Sequence, residues 1–120
     1  PDNGGGWLLP RIVGLAKALE LILVDEFCEA EEAYRIGLLN KLFSADKFEE
    51  RTMELAGKMA MGPPIAYRLS KTLIYKGLET DLETALQFLS ACIPIVISSE
   101  DYKEAIRAFA EKRAPLFKGE

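Results

Sequence analysis

Glycine and proline divide this chain into segments of helical length. Gly14 and Gly37 each follow a segment of helical pattern, where glycine readily adopts the left-handed conformation that ends a helix. The firmest break is formed by Gly62, Pro63 and Pro64, because proline cannot continue a helix but fits its first turn. Between these breaks apolar residues recur every three or four positions, which is the spacing of an amphipathic helix. The sequence therefore predicts an all-α fold class.

The predicted secondary structure consists of seven helices and at most one short strand. The helices are expected at residues 7–13, 15–24, 29–36, 46–61, 64–77, 81–98 and 100–111. Residues 38–43 alternate poorly between apolar and polar side chains and form at best a short strand. Pro94 should kink or interrupt the sixth helix, because it lacks the N–H that the helix needs.

Polar residues before several helices are candidates for capping their first turns. Ser44 precedes the fourth predicted helix, and the spacing of Thr80 and Glu83 matches a capping box. Ser98 or Ser99 is expected to cap the last helix.

Two apolar stripes are interpreted as core or as subunit contacts, with no cofactor implied. They consist of Phe48, Leu55 and Met59 in the fourth helix and of Leu82, Leu86 and Leu89 in the sixth.

Composition and charge exclude several classes of protein. Hydrophobic residues make up 49% of the 120 residues, which argues against disorder. The net charge of −4 argues against a nucleic-acid-binding surface. The longest apolar runs, at residues 21–24 and 91–97, are too short to span a bilayer, and no signal peptide is visible. We therefore expect a cytoplasmic protein that binds neither nucleic acid nor membrane.

The chain contains two cysteines and no histidine. Cys28 and Cys92 are interpreted as buried thiols in a reducing compartment rather than as a disulfide. Without histidine the chain lacks the commonest general base and the commonest metal ligand, so no metal site is expected.

The first six residues form a glycine-rich loop that leads into the first helix. Gly4, Gly5 and Gly6 would let the backbone approach a ligand closely and direct helix amides towards it. The alternative is that these glycines form a flexible leader.

Four segments of the chain carry recognisable motifs. Residues 1–14 follow the pattern PD-x-GG-x-x-x-LPR-x-VG, and residues 16–21 follow A-x-x-L-x-L. Residues 29–39 contain A-x-x-A-x-x-x-G-L, and residues 104–119 approach E-G-x-x-A-F-x-E-K-R-x-P-x-F-x-G, with Ala105 in place of the first glycine. In this order, and over the whole chain, the motifs resemble the enoyl-CoA hydratase/isomerase (crotonase) superfamily.

The resemblance implies a division of the chain and a relation to a larger fold. Members of the family have a spiral core of repeated strand-strand-helix turns, followed by a helical C-terminal region. Residues 1–43 would be the end of that core and residues 44–120 the helical oligomerisation region, so the spiral core is largely missing. About half of a typical member would lie upstream of Pro1. The start at Pro1 without Met suggests a processed protein, a deliberately shortened chain or a proteolytic remnant.

The same resemblance implies the chemistry of the parent enzyme. Crotonases bind acyl-CoA thioesters, and two backbone amides stabilise the enolate that forms on the thioester oxygen. One or two carboxylates then move protons, which hydrates or shifts a C=C bond. By resemblance, the oxyanion-hole segments and both usual glutamates precede Pro1, so we expect this chain alone to be inactive. No cofactor is implied beyond the CoA of the substrate.

Near the N-terminus, Asp2 falls where isomerase-like members carry an acid/base aspartate. This residue favours an isomerase over a hydratase, although an aspartate here can simply occupy a turn. Gly4 and Gly5 would contact the substrate, and Trp7 with Leu8 would line the acyl pocket. The alternative for Trp7 and Leu8 is ordinary core.

At the other end, Phe109 and Lys112 match family positions that contact the adenine and the phosphates of CoA. A phenylalanine offers a flat face for stacking, and a lysine offers a compact charge for phosphate. Arg113 could play the same role as Lys112. The alternative is that Phe109 is core and Lys112 an ordinary solvated charge.

The predicted function is therefore that of the C-terminal part of an acyl-CoA isomerase or hydratase that forms homo-oligomers, trimers or hexamers in the intact family. A competing interpretation is a stand-alone helical interaction module without catalysis. A third is a CoA-binding or regulatory module.

Overall fold

The computed structural model describes residues 3–24 and 27–120, and these residues form seven helices. The helices are α1 (Gly5–Val13), α2 (Leu15–Leu23), α3 (Ala30–Arg35), α4 (Phe48–Ala60), α5 (Pro64–Gly77), α6 (Leu82–Ser98) and α7 (Glu100–Glu111). No strand occurs among the described residues, which confirms the all-α prediction. The short strand considered for residues 38–43 is wrong. The N–H of Leu39 instead donates to the carbonyl of Ala33, 3.1 Å away, and so extends the turn after α3.

The chain divides into two compact units, Pro1–Arg51 and Thr52–Glu120. The boundary expected at residues 43 and 44 lies ahead of this division and stays a prediction about the family's architecture.

In the first unit a glycine joins α1 directly to α2. Gly14 has a φ of 82° and a ψ of 160°, a backbone conformation that a side chain would strain. Its N–H donates to Pro10 O at 3.1 Å to end α1, and its carbonyl accepts the N–H of Ala18 at 3.0 Å to begin α2. Because one residue serves both helices, the chain turns with no loop between them.

Salt bridges link α2 to α3 in the same unit. Lys17 Nζ lies 2.5 Å from a carboxylate oxygen of Glu20 and 3.2 Å from one of Glu32. The hydrogen bond that Lys17 donates to Glu20, followed by the one it donates to Glu32, raises the pKa of Lys17. Glu32 also binds Arg35, the main cause of its lowered pKa. Of these pairs, Lys17–Glu32 joins the two helices, and an ion pair so near the surface stabilises the fold only modestly.

In the second unit α6 runs through a proline without a break. Pro94 lies inside Leu82–Ser98, so the predicted interruption is wrong. The missing N–H removes one backbone bond from a helix of 17 residues, and α6 packs along α5. This tertiary contact outweighs the local preference of proline. Cys92 of α6 is buried, whereas Cys28 is only half-buried, contrary to prediction, and both thiols are free.

The capping residues differ from those predicted at two of three helices. Ser44 makes no side-chain cap, because a 3-10 turn over Ala45–Lys47 comes before α4. Thr80 donates its hydroxyl back to Lys76 O, and Asp81 caps α6 instead. The Asp81 carboxylate accepts the N–H of Thr84 at 2.9 Å. This bond lowers the pKa of Asp81.

The turn between α6 and α7 is capped by the second of two serines. The axes of the two helices are bent by 69° at this turn. Ser99 Oγ accepts the N–H of Tyr102 at 3.1 Å and donates to Val96 O at 2.7 Å. One buried hydroxyl therefore ends α6 and begins α7.

Few large apolar side chains are buried in this chain. Among the described residues only Ala18, Ala33, Cys92 and Ala108 are buried apolar residues. The two apolar stripes are exposed, with Leu82 74% accessible, so the core interpretation of them is wrong and the subunit-contact interpretation stays a prediction. Within the described ranges no single helix is long and apolar enough to cross a membrane. Only the bent pair of α6 and α7 together reaches that length and composition.

Replacing Ser99 by alanine should lower the free energy of unfolding by about 1 kcal/mol, because the first turn of α7 loses its cap. Urea unfolding followed by circular dichroism measures this change. Ser98→Ala is the matched control, since Ser98 Oγ is exposed and only donates to Ile95 O. Equal losses in the two variants would contradict the assignment of Ser99 as the cap.

Candidate functional site

The end of α7 places two of the predicted site residues side by side. Lys112 adopts the left-handed conformation, with a φ of 54° and a ψ of 38°. Its N–H donates to Phe109 O at 3.2 Å, and the N–H of Arg113 donates to Ala108 O at 3.0 Å. These two bonds form a Schellman motif, in which glycine normally occupies the position that Lys112 holds here.

The side chains at this corner are accessible to a ligand. Phe109 is 87% exposed, so the alternative that it belongs to the core is wrong. Lys112 is also exposed, and its ammonium makes no ion pair within the part of the chain that the structure describes. A bare aromatic face therefore lies three residues from an unneutralised cation.

The neighbouring cation is engaged in ion pairs. Arg113 binds Glu104 through two nitrogens, at 2.6 and 3.0 Å, and Glu111 through Nε at 2.5 Å. The bond to Arg113, followed by the N–H of Leu116, lowers the pKa of Glu104 to about 2, and the same carboxylates raise the pKa of Arg113. Arg113 is therefore less suited than Lys112 to bind a phosphate.

The residues after Arg113 are held along α7 by two carboxylates. The buried carboxylate of Asp101 accepts the N–H groups of Lys118 at 2.7 Å and Gly119 at 2.9 Å. Gly119 has a φ of 79°, so glycine fits this position best. Glu104 accepts the N–H of Leu116 at 3.0 Å. We call residues 113–120, held in this way, the C-terminal strap.

Sequence reasoning missed the role of Asp101 and Glu104. It assigned neither carboxylate a partner. Their spacing of three residues places both carboxylates on one helix face. A glycine-containing tail after such a face is the signal that could have indicated the strap.

In the first unit the predicted residues cluster at the start of α1. Gly4 is left-handed, with a φ of 86°, and its carbonyl accepts the N–H groups of Trp7 at 3.0 Å and Leu8 at 2.9 Å. Trp7 is half-buried rather than core, and Arg11 Cζ lies 3.8 Å from the centroid of its ring. The predicted loop over residues 1–6 is wrong at Gly5 and Gly6, because these two residues form the start of α1.

Each group of predicted residues therefore occupies its own unit. Gly4, Gly5 and Trp7 lie together in the first unit, and Phe109 and Lys112 lie together in the second. Asp2 falls outside the described residues. Across residues 3–24 and 27–120 no group of three or more cysteine, aspartate or glutamate side chains is arranged to hold a metal ion.

The ion pair of Glu104 should make stability depend on pH. Its pKa falls on folding from the ordinary 4.5 to about 2, so the stabilisation is present above pH 4.5 and is lost as the pH falls towards 2. The urea midpoint, measured against pH for the wild type and for Glu104→Gln, tests this dependence. The wild type should lose more stability over that range, and parallel curves would contradict the assignment.

The family model for enoyl-CoA hydratase/isomerase matches residues 1–120. The chain is 40% identical over 113 residues to the short-chain-enoyl-CoA hydratase of Clostridium acetobutylicum, covering 94% of this chain and 43% of that protein. It is 36% identical over 124 aligned positions to the mitochondrial methylglutaconyl-CoA hydratase of Rattus norvegicus, covering 100% of this chain and 39% of that protein.

Solved structures give the same result. An enoyl-CoA hydratase from Bacillus anthracis superimposes with a TM-score of 0.93 at 40% identity, covering 100% of this chain and 46% of that one. An enoyl-CoA hydratase/isomerase from Cupriavidus metallidurans gives 0.87 at 34% identity, covering 99% and 45%. The chain thus spans less than half the length of these relatives and matches their C-terminal portion. The resemblance of the sequence motifs is confirmed: the chain belongs to the enoyl-CoA hydratase/isomerase family.

Proposed function

We propose that this chain is the C-terminal part of an acyl-CoA hydratase or isomerase, and that the end of α7 binds the nucleotide of CoA. The observation that carries the proposal is the exposed ring of Phe109 three residues before Lys112, whose ammonium makes no ion pair among the described residues. Adenine is flat and apolar on its faces, so it can stack on phenylalanine. The CoA phosphates are anionic, so they favour a cation that no carboxylate already neutralises.

By the family resemblance, the start of α1 would contact the acyl end of an acyl-CoA substrate. Trp7 and Leu8 would line the acyl pocket, with Gly4 and Gly5 letting the backbone approach the thioester. Arg11 covers one face of the Trp7 ring and leaves the rest of the indole for this role.

The reaction would pass through a thioester enolate. Removal or addition of a proton next to the thioester creates this species, and an oxyanion hole lowers its energy. Asp2 would serve as the acid/base group, which favours double-bond migration. The similar proteins are named hydratases, which favours addition of water. Both reactions stabilise charge on the same oxygen.

The 120 residues by themselves should not turn over substrate. By family resemblance, the oxyanion-hole glycine segments and the usual glutamates belong to the portion of the relatives that this chain does not match. Without that portion the enolate has no preorganised donors. The reaction as proposed needs no cofactor other than the CoA of the substrate, and the proposed compartment is the cytoplasm.

The second candidate is a helical interaction module without catalysis. The exposed apolar stripe of α6 favours it, because a single chain that exposes such a surface tends to associate. The two candidates differ in ligand binding, since an interaction module has no reason to bind CoA.

CoA should bind this chain with micromolar affinity, and Lys112→Ala should weaken binding at least about tenfold, because a charge-assisted bond to phosphate is lost. Phe109→Ala should weaken binding as well, through lost stacking. Isothermal titration calorimetry with CoA measures both effects.

The matched control for Lys112→Ala is Lys71→Ala, which removes an exposed lysine from a different helix, α5. It should leave the affinity for CoA unchanged. Absence of CoA binding by the wild type, or equal losses in the two lysine variants, would contradict the assigned nucleotide site.

The chain should also self-associate, because α6 exposes Leu82, Leu86 and Ile93 on a helix with few charges. Sedimentation velocity over a range of concentrations should show a sedimentation coefficient that rises with concentration. Leu82→Glu should shift the equilibrium towards the monomer. A wild-type chain that stays monomeric at high concentration would refute this expectation.

A further inference from the structure

A lysine occupies the position directly after α7 at which glycine is the usual residue. Lys112 has a φ of 54°, and the left-handed conformation is strained for a residue with a Cβ. Backbone strain of this kind persists only where the surrounding structure holds it. Contacts of the residues around Lys112 must therefore hold it in the left-handed conformation.

The side chain of the next residue supplies one such contact. Arg113 reaches back along the helix, and both of its terminal nitrogens bind Glu104, at 2.6 and 3.0 Å. A two-bond contact between guanidinium and carboxylate fixes direction as well as distance. Nine residues separate the partners in the sequence, so the contact can form only when the chain reverses after Glu111.

The same carboxylate holds the strap. Glu104 accepts the N–H of Leu116 at 3.0 Å, and its side chain is only 13% exposed. Glu104 lies on the helix before the reversal and binds two residues after it, so these contacts hold the path of the chain through Lys112. It also neutralises Arg113 and leaves Lys112 as the available cation of the pair.

We propose that Glu104 is a positioning residue for anion recognition: by holding Arg113 and the amide of Leu116, it keeps Lys112 left-handed at the end of α7, three residues after Phe109. The role of Lys112 towards CoA phosphate rests on the proposed function, whereas the conformational role of Glu104 does not.

A first experiment measures the conformational role without ligand. Lys112→Gly should raise the urea midpoint of the wild type, because glycine adopts this conformation without strain. In Glu104→Gln the same glycine substitution should raise the midpoint by less, because Lys112 is no longer held left-handed. An equal rise in both backgrounds would overturn the proposal.

A second experiment measures the coupling to ligand. Glu104→Gln should lower the affinity for CoA at least about threefold in the wild type and leave it unchanged in Lys112→Ala. A purely structural effect would lower the affinity equally in both backgrounds and would overturn the proposal. If the wild type does not bind CoA, the nucleotide assignment fails, while the stability experiment still decides the role of Glu104.

Two further variants guard against misfolding and nonspecific effects. Arg113→Lys keeps the charge but cannot make the two-bond contact, so it should reproduce both effects of Glu104→Gln. Glu100→Gln removes a carboxylate from the same helix, one whose side chain pairs with Lys103. It should produce neither effect, and a similar response would refute a specific role for Glu104.

Discussion

The arrangement of the second unit depends on two carboxylates of α7 that bind main-chain N–H groups of the strap. Asp101 is only 4% exposed, and a carboxylate removed from water is costly unless hydrogen bonds replace its hydration. The amides of Lys118 and Gly119 provide that replacement. These hydrogen bonds restrict the backbone of Lys118 and Gly119, so the strap is fixed along the helix. The strap also caps the start of α7, where the carbonyl of Glu120 accepts the N–H of Glu100 at 2.7 Å. Polar contacts, rather than an apolar core, thus determine the path of the chain in this region.

In the first unit, glycine and small side chains determine how the helices are joined and packed. Gly14 joins two helices without a loop, and Ala18 is buried where a larger residue would hold the helices apart. Its surface ion pairs add alignment rather than much stability. The large apolar residues that should close such a unit are exposed instead, with Leu15 and Leu23 as examples. The first unit therefore exposes a large share of its apolar surface.

Local sequence signals predicted the helices well, and long-range contacts account for most of the errors. Pro64 marks the start of α5 because its ring fits a first turn, and Glu100–Glu111 follows a serine cap directly. The capping box at Thr80 failed because Asp81 accepts the helix N–H more strongly as a carboxylate. The strap was missed because Asp101 and Gly119 meet across 18 residues, a separation that no periodicity records. The positions of Phe109 and Lys112 came from family resemblance. Their exposure and backbone conformation could come only from the structure.

At the end of α7, Lys112 comes before Arg113, and the two cations have different chemical roles. Arginine makes fixed, two-bond contacts with carboxylates, whereas lysine is a flexible point charge that suits an anion of variable position. Here the arginine follows the helix end and is committed to Glu104 and Glu111, so its charge is neutralised inside the protein. The lysine occupies the strained position and keeps its charge for solvent or ligand. Exchanging the two residue types would place the weaker structural partner at the contact with Glu104. Stability and anion binding therefore both favour lysine first and arginine second.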